Sequence, residues 1–345
     1  MDPNFRYHRQ TLIPWIGPAG QRRLAASRVL LVGCGALGCV IADQLVRAGV
    51  GTLRIADRDI VEATNLQRQT LFDESDVTGQ LPKAIAAARR LSQVNSQVAI
   101  DPHVVDIHSG NIERLADFSG HQPDVILDGT DNAETRYLIN DFAVRDGIPW
   151  VYGAAVATEG RAMAILPGRA CLRCLFRDVP QPGQLATCDT AGVLAPTVAI
   201  AASHQVTLAL KILVARAADI VPQLLTFDLT TGRFHQLDIS EAKSPECPCC
   251  ARRDFVFLNT PGGEVSLCGR NAVQIRPAPT PIDMDAIAAK LSVVGTVRRR
   301  AYFLQCDLAE PPGWSLTVFP DGRIIVQGTS DRSRARSIVA RYFGA

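Results

Sequence analysis

The sequence VLLVGCGALG at residues 29–38 decides the predicted fold. Its four leading apolar residues are typical of a buried strand, and the glycine pattern after them leads into an apolar-periodic helix. A second predicted strand, at residues 52–56, ends at Asp57, about 20 residues after the pattern. The glycines of the pattern are Gly33, Gly35 and Gly38. This strand–helix–strand unit predicts a Rossmann-like α/β fold whose glycine turn lets backbone N–H groups approach a polyphosphate.

Helix and strand patterns continue to alternate after this unit. Helices are predicted near residues 82–93, 112–118 and 133–146, and strands near 98–105, 125–127, 150–154 and 161–166. Beyond a long loop at 169–192 come a helix at 195–215 and two strands, at 224–228 and 234–238. Such alternation favours a mostly parallel sheet.

The chain length of 345 residues favours two domains. We expect a first domain at residues 1–252 and a small C-terminal α+β module at 253–345, where short strands and two helical patterns follow each other. No motif in this module indicates its role, and neither Cys268 nor Cys306 has a readable function.

Composition excludes several classes of protein. A formal net charge of +2 supplies no overall field for binding nucleic acid or an anionic membrane. The N-terminal residues 1–10 lack the apolar run of a secretory signal, and the most apolar stretch, 192–214, contains polar residues that favour a buried helix over a membrane span. Ten cysteines without an export signal then indicate thiol or metal chemistry in a reducing cytoplasm.

The segment after Asp57 indicates which nucleotide is bound. An NAD site needs no cations directly after its ribose carboxylate, whereas a triphosphate that loses pyrophosphate needs positive charge on the departing oxygens. Arg68 can bind phosphate bidentately, and Lys83 can act as a mobile point charge. Each of these residues taken alone could be a solvated surface charge, but together they favour ATP.

Asp131 is the candidate ligand for magnesium. It follows the predicted strand at 125–127, and ligands bind at the carboxyl ends of strands in open α/β sheets. Magnesium prefers one or two carboxylates together with phosphate oxygens, so a single aspartate suffices. Alternatively, Asp131 or Asn132 caps the helix that follows, which leaves the other side chain free.

Several motifs in the same order resemble the ThiF/MoeB/HesA adenylyltransferases, which are bacterial relatives of ubiquitin-activating enzymes. The motifs are RYHRQ at 6–10, GCGALG at 33–38, DRD at 57–59, NLQRQ at 65–69, Lys83, GTDN at 129–132, CLRC at 171–174 and CPCC at 247–250. The likeness covers about residues 1–252. It implies that Asp57 binds the ribose, that Asn65, Arg68 and Lys83 bind phosphates, and that Asp131 binds magnesium.

The resemblance also implies a homodimer in which Arg9 of one subunit reaches the ATP site of the other. The implied catalytic residues are Arg9, Arg68, Lys83, Asp131 and Cys188. In family members that transfer sulfur or form a covalent carrier intermediate, a cysteine stands at the position of Cys188. The alternative for Cys188 is an unreactive cysteine in the loop at 169–192.

Two CxxC pairs can supply the four thiolates of a closed zinc site. The cysteines are Cys171, Cys174, Cys247 and Cys250. A redox CxxC is the alternative for either pair alone, although the resemblance also assigns structural zinc to all four. Cys249 is then a spare thiol or belongs to a different pairing.

The predicted activity is adenylation of the C-terminal Gly carboxylate of a ubiquitin-like sulfur-carrier protein resembling ThiS or MoaD. The carrier is expected to end in Gly-Gly, because an extended tail without side chains can thread into a nucleotide pocket. ATP, Mg²⁺ and Zn²⁺ are the expected cofactors, and a sulfur donor such as a cysteine desulfurase is a further expected partner. The alternatives are an NAD-dependent oxidoreductase and a relative that activates a carbonyl of a tRNA or a peptide.

Overall fold

The apolar run at residues 29–32 forms the central strand of a large sheet. The structure, a computed structural model, describes residues 3–180, 186–215, 220–260, 265–267, 271–275 and 282–343. It divides the chain into two units, Met1–Pro261 and Gly262–Ala345. The first unit therefore includes a short helix at Val256–Asn259, and part of the loop predicted at 169–192, residues 181–185, lies outside the described residues.

The first unit contains eight strands and twelve α-helices in its described residues. The strands are β1 (Arg28–Val32), β2 (Thr52–Asp57), β3 (Ala99–Val104), β4 (Val125–Asp128), β5 (Trp150–Val156), β6 (Glu159–Ile165), β7 (Gln223–Asp228) and β8 (Arg233–Asp238). The helices are α1 (Pro3–Arg6), α2 (His8–Thr11), α3 (Gly17–Ala26), α4 (Ala36–Ala48), α5 (Glu74–Thr78), α6 (Lys83–Val94), α7 (Ile112–Ala116), α8 (Ala133–Asp146), α9 (Leu172–Leu175), α10 (Cys188–Ala191), α11 (Ala195–Val214) and α12 (Val256–Asn259). A 3₁₀ turn covers Ala63–Asn65.

The eight strands lie in the order β3-β2-β1-β4-β5-β6-β7-β8. The first five strands in this order, from β3 to β5, pair in parallel. Strands β6, β7 and β8 continue the sheet with antiparallel pairing. The predicted Rossmann-like, mostly parallel sheet is therefore confirmed, with an antiparallel extension on one side. Because β1 lies between β2 and β4, the strand order reverses beside β1, and this is where open α/β sheets bind ligands.

Alternation along β1 explains the two layers of helices. Val29 and Leu31 pack into one core cluster with residues of α4, α6 and α11. Leu30 and Val32 pack into a second cluster with residues of α7 and α8. Since successive strand residues point to opposite faces, a continuous apolar strand can bury both faces of the sheet.

Helix α11 is the helix predicted from the most apolar stretch of the chain. Its length and composition would suffice to cross a membrane, but 61% of its most apolar window is buried. It packs against α4, β5 and β6, and its residues Val198, Ala202 and Val206 belong to the core. The interpretation as a buried helix is confirmed.

The second unit, in its described residues, is a smaller antiparallel sheet with two helices. Its elements are β9 (Val265–Leu267), β10 (Ala272–Ile275), α13 (Met284–Ser292), β11 (Gly295–Arg299), β12 (Leu304–Leu308), β13 (Ser315–Val318), β14 (Ile324–Gln327) and α14 (Arg332–Phe343). The strand order is β11-β12-β13-β14-β10-β9, and every pairing is antiparallel. Leu291 of α13 and Ile338 of α14 join the strands in one core. Cys306 is buried in that core, and Cys268 lies outside the described residues.

Candidate nucleotide and metal sites

Two loops meet backbone to backbone at the reversal of strand order. Gly33 has φ +87°, a left-handed conformation that favours glycine, and a Cβ at Gly38 or at Gly129 would overlap the carbonyl oxygen of Gly33. Gly35 differs, because the nearest atoms to its Cβ position are 4.0 Å away, on Gln69 and Gly129. The start of α4 is therefore close to open space at Gly35, as a phosphate site at a helix N-terminus requires.

Asp57 lies beside this loop at the end of β2. Its side chain is buried and accepts hydrogen bonds from the backbone N–H groups of Cys34, at 2.6 Å, and Asp59, at 2.7 Å. Burial raises the pKa of the Asp57 carboxyl above its usual value, while the nearby Lys83 ammonium opposes that shift. The predicted ribose ligand is thus also a brace that joins the end of β2 to the glycine turn.

Lys83 is the first residue of α6, and its side chain is only 5% exposed. Its Nζ donates to a carboxylate oxygen of Asp59 at 2.9 Å, and its backbone N–H donates to the Asp59 carbonyl at 2.8 Å. Sequence analysis did not identify Asp59, although it is the second acidic residue of DRD. Buried charges require partners, so this carboxylate is what allows a lysine to be held at the site.

The predicted phosphate ligands Asn65 and Arg68 lie on the turn that follows β2. Asn65 is buried, and its Oδ1 accepts from the backbone N–H of Glu62 at 3.0 Å in a capping box. This bond fixes the orientation of the Asn65 amide, whose Nδ2 is the only donor that the side chain could offer to a phosphate. Arg68 donates from Nη1 to the Thr64 carbonyl at 3.0 Å.

Asp131 is exposed in the loop between β4 and α8. Asn132 is the residue that caps α8, with its Oδ1 accepting from Glu134 N at 2.9 Å, so Asp131 is not the cap. Burial tends to lower the pKa of Arg58 and Arg136, but nearby carboxylates raise it overall. Asp131 is one of the carboxylates that act on both arginines. Asp131 is thus an exposed carboxylate that follows the carboxyl end of β4 and lies close to two arginines.

A buried network below the loop was missed by sequence analysis. Asp128 is fully buried and accepts from Arg136 Nε at 2.9 Å and from the Thr130 hydroxyl at 2.7 Å. Arg136 also donates to the Thr130 carbonyl at 2.6 Å, and Gln205 of α11 donates to the Asp128 carbonyl at 2.8 Å. These bonds fix the backbone that carries Asp131. The signals in the sequence were Asp128, a carboxylate at the end of an apolar strand, and Gln205, a polar residue in an apolar helix.

Cys188 lies at the same edge of the sheet. It is the first residue of α10, it is partly buried, and its Sγ is 3.5 Å from the carbonyl oxygen of Ala155 near the end of β5. Because β1, β2, β4 and β5 run parallel, their carboxyl ends share one edge. The structure therefore places Cys188 on the side of the sheet that carries the glycine turn, Asp57 and Asp131.

Arg9 is held at the opposite end of the helices. In the segment around it, Gln10 donates to the Ala48 carbonyl at 3.0 Å, and the Tyr7 hydroxyl accepts from Asn95 at 2.8 Å. These partners lie at the C-terminal ends of α4 and α6, whose N-terminal ends carry the glycine turn and Lys83. Helix α4 has 13 residues and so spans about 20 Å, which leaves the exposed Arg9 far from the site of its own subunit.

The four predicted zinc ligands converge. The Sγ atoms of Cys171, Cys174, Cys247 and Cys250 all lie within 4.8 Å of one another. Neighbouring pairs are separated by 3.4 Å, 3.5 Å and 4.0 Å. Zinc–sulfur bonds of about 2.3 Å place the thiolates of a tetrahedral site about 3.8 Å apart, so this cluster could hold zinc.

Charge and second contacts also suit a metal here. The Cys171 thiol, together with burial, raises the pKa of Cys174 to about 12, and burial with the neighbouring thiols raises the pKa of Cys250 to about 12. A divalent ion would compensate the negative charges of closely packed thiolates. Cys249 lies outside the cluster and accepts from Asn140 Nδ2 at 3.2 Å, while Asn140 Oδ1 accepts from the Leu172 backbone N–H at 2.9 Å. Asn140 thus joins the two cysteine segments.

A model of the ThiF family matches residues 7–249. The chain belongs to the ThiF family. A sulfur carrier protein ThiS adenylyltransferase of Bacillus subtilis is 42% identical over 345 residues, which cover 98% of this chain and 99% of the relative. A sulfur carrier protein adenylyltransferase of Thermus thermophilus is 38% identical over 252 residues, covering 71% and 90% of the two chains.

The fold agrees with a solved structure. A crystal structure of E. coli MccB with ATP has a TM-score of 0.60 and 20% sequence identity, and the match covers 72% of this chain and 75% of that chain.

The match to the Bacillus relative spans nearly the whole chain, whereas that to the Thermus relative covers 252 residues. The predicted family is therefore confirmed, and the Bacillus relative shares the length of both units.

Removal of the metal tests the cysteine cluster. We expect about one zinc per chain, and we expect Cys174→Ser to lower both the zinc content and the melting temperature, because structural zinc sites contribute about 10–16 kcal/mol of apparent binding free energy. Metal analysis and thermal unfolding before and after chelation measure both effects. Cys188→Ser, which leaves the cluster intact, is the matched control. A zinc-free wild type, or a disulfide within either CxxC pair, would contradict the assignment.

Proposed function

We propose that this ThiF-family adenylyltransferase transfers AMP from ATP to the C-terminal glycine carboxylate of a ubiquitin-like sulfur-carrier protein. The names of the Bacillus and Thermus relatives support the carrier as substrate. The observation that carries the proposal is the shared edge of the sheet, where an open glycine turn, a buried lysine and an exposed carboxylate lie at or next to the carboxyl ends of the parallel strands. A triphosphate needs all three features.

The reaction is a displacement at the α-phosphate. A carboxylate oxygen of the carrier forms a bond to the α-phosphorus, the bond from that phosphorus to the bridging oxygen breaks, and pyrophosphate leaves with the electron pair. No general base is needed, because the carboxylate is already ionised at neutral pH. Catalysis therefore comes from positioning and from charge stabilisation.

Each predicted residue has a role in this scheme. Asp57 accepts hydrogen bonds from the ribose hydroxyls, and the open backbone at Gly35 contacts the phosphates. Asn65, Arg68 and Lys83 stabilise the negative charge that develops on the departing pyrophosphate.

Asp131 is the residue that would hold magnesium. Its carboxylate is exposed after the carboxyl end of β4, and the Asp128–Arg136 pair holds the backbone of its loop in place. A bound magnesium ion would neutralise charge on the phosphate oxygens. Asp131 would thereby fix the position of the magnesium–nucleotide complex relative to the glycine turn.

The active protein is proposed to be a homodimer. Arg9 is exposed and lies at the end of α4 and α6 that is remote from its own glycine turn. Arg9 can therefore act only on a nucleotide that is bound by another subunit. Hydrogen bonds of Tyr7 and Gln10 attach the N-terminal segment to its own subunit. Arg9 would therefore enter the partner's site from a fixed position.

We propose that after adenylation the Cys188 thiolate attacks the acyl carbon of the carrier, so that AMP leaves with the electron pair and a thioester forms. The terminal sulfur of a persulfide donor such as a cysteine desulfurase then attacks the thioester, which releases the Cys188 thiolate and gives an acyl disulfide. Attack of the Cys188 thiolate on the donor's inner sulfur breaks that S–S bond, so that the thiocarboxylate leaves and a disulfide joins Cys188 to the donor. Thiolates are strong nucleophiles toward acyl-adenylates, and Cys188 occupies the edge of the sheet where the adenylate would form. The carrier is proposed to end in Gly-Gly, and the enzyme to work in the reducing cytoplasm. A structural zinc in the cysteine cluster completes the proposal.

Asp131→Ala tests the adenylation site. We expect carrier-dependent ATP–pyrophosphate exchange to fall by about 100-fold or more, because charge stabilisation at such sites is worth that much. ATP binding measured by calorimetry should also lose its dependence on magnesium, and the melting temperature should stay unchanged. Glu241→Ala, which removes an exposed carboxylate elsewhere in the first unit, is the control. Exchange near the wild-type rate in Asp131→Ala would refute the role of Asp131.

Mixing two inactive variants tests the shared site. Arg9→Ala and Asp131→Ala homodimers should each lack activity, but a heterodimer contains one site with both residues intact. We expect ATP–pyrophosphate exchange to recover toward a quarter of the wild-type rate when equal amounts of the two subunits mix statistically, because half of the dimers are then heterodimers with one intact site. Native mass spectrometry establishes that subunits have exchanged. With exchange of subunits demonstrated, a mixture that stays inactive would place Arg9 outside the partner's site.

Cys188→Ser separates adenylation from sulfur chemistry. Since adenylation needs no thiol, we expect normal pyrophosphate exchange together with loss of any covalent carrier adduct and of thiocarboxylate formation. Intact-protein mass of carrier and enzyme, after reaction with ATP and a cysteine-desulfurase donor, measures both products. Equal thiocarboxylate yields from wild type and variant would assign the sulfur step to a partner protein.

A further inference from the structure

Gln69 is a buried side chain with an unsatisfied polar atom. Its relative exposure is 3%, and its Oε1 has no hydrogen-bond partner among the described residues. Burying an amide acceptor without a partner costs stability, so such atoms call for an explanation. Gln67, two residues earlier on the same turn, is exposed to water instead.

The other end of the Gln69 amide borders the glycine turn. Its Nε2 lies 4.0 Å from the position that a Cβ at Gly35 would occupy, and apart from the neighbours of Gly35 in the chain no described side chain comes closer. The backbone of Gln69 is fixed, because its N–H donates to the Asn65 carbonyl at 2.9 Å and its carbonyl accepts from Phe72 N at 3.2 Å. A fixed backbone therefore holds an amide against the one glycine of the turn that faces open space.

We propose that Gln69 binds ATP directly. Its Nε2–H would donate to a non-bridging phosphate oxygen that lies next to Gly35. The inference rests on the proposed adenylation function and adds a neutral donor to the cations Arg68 and Lys83. Because Oε1 has no partner, the terminal amide can rotate toward the phosphate without breaking a hydrogen bond. A neutral, directional donor fixes the position of the phosphate without adding another positive charge to the site.

Two substitutions with opposite physical effects test this role. Gln69→Glu keeps the shape but replaces the donor with an acceptor that repels phosphate. Gln69→Met keeps the length and removes both polar atoms, including the unsatisfied Oε1. For each we expect at least about a tenfold loss of kcat/KM for ATP in pyrophosphate exchange, because a pre-positioned donor is lost. Gln67→Glu is the matched control and should change kcat/KM less than about twofold.

Thermal unfolding distinguishes ligand binding from a structural role. We expect Gln69→Met to melt at or above the wild-type temperature without nucleotide, since a buried unsatisfied atom is gone. The rise in melting temperature on adding magnesium and ATP should shrink in both variants. Wild-type kcat/KM in Gln69→Met and Gln69→Glu would overturn the proposal, as would a lower melting temperature with an unchanged ATP-induced rise. A wild-type protein that shows the ATP-induced rise but no carrier-dependent exchange would instead refute the proposed function.

Discussion

The contact between the loops after β1 and β4 is the constraint on which the candidate site depends. Gly33, Gly38 and Gly129 lie so close that a Cβ on any of them would meet backbone of another. This contact joins the start of α4 to the end of β4 at the reversal of strand order. It therefore fixes the distance between the glycine turn and the carboxylate of Asp131, on which the proposed phosphate site depends. A larger side chain at these positions would separate the two halves of the site.

Three cations near the carboxyl ends of the strands are each paired with a carboxylate before any nucleotide binds. Lys83 pairs with Asp59 at 2.9 Å, Arg58 with Asp106 at 3.0 Å, and Arg136 with Asp128 at 2.9 Å. Such pairing offsets the desolvation of buried cations, which would otherwise be strongly unfavourable. It also distinguishes the site from that of an NAD-dependent oxidoreductase, which has no use for a buried lysine beside its ribose carboxylate. A triphosphate brings additional negative charge to a lysine that is already positioned.

Local patterns predicted the parts of the fold that depend on local physics. The glycine turn, the βαβ unit and helix α8 follow from periodicity, from glycine geometry and from caps. The convergence of the two CxxC pairs followed from the chemistry of zinc. Sequence could not choose the role of Cys249, because the direction of its thiol depends on Asn140 in a helix 109 residues away. For the same reason it missed Asp128, Arg136 and Gln205, whose partners are brought together only by the sheet.

The N-terminal motif RYHRQ has one side that packs on the first unit and one side that carries the proposed trans-acting Arg9. Tyr7 and Gln10 are three residues apart, so they share one side of a helical turn, and both face the ends of α4 and α6. The left-handed Gly49 that ends α4 makes room for Tyr7, because a Cβ there would overlap the tyrosine ring. Arg9 lies on the other side and stays exposed. Since the inward residues attach to the same two helices whose first turns carry the glycine turn and Lys83, the position of Arg9 is fixed relative to its own site. Two subunits related by a twofold axis would then present their arginines to each other's sites together.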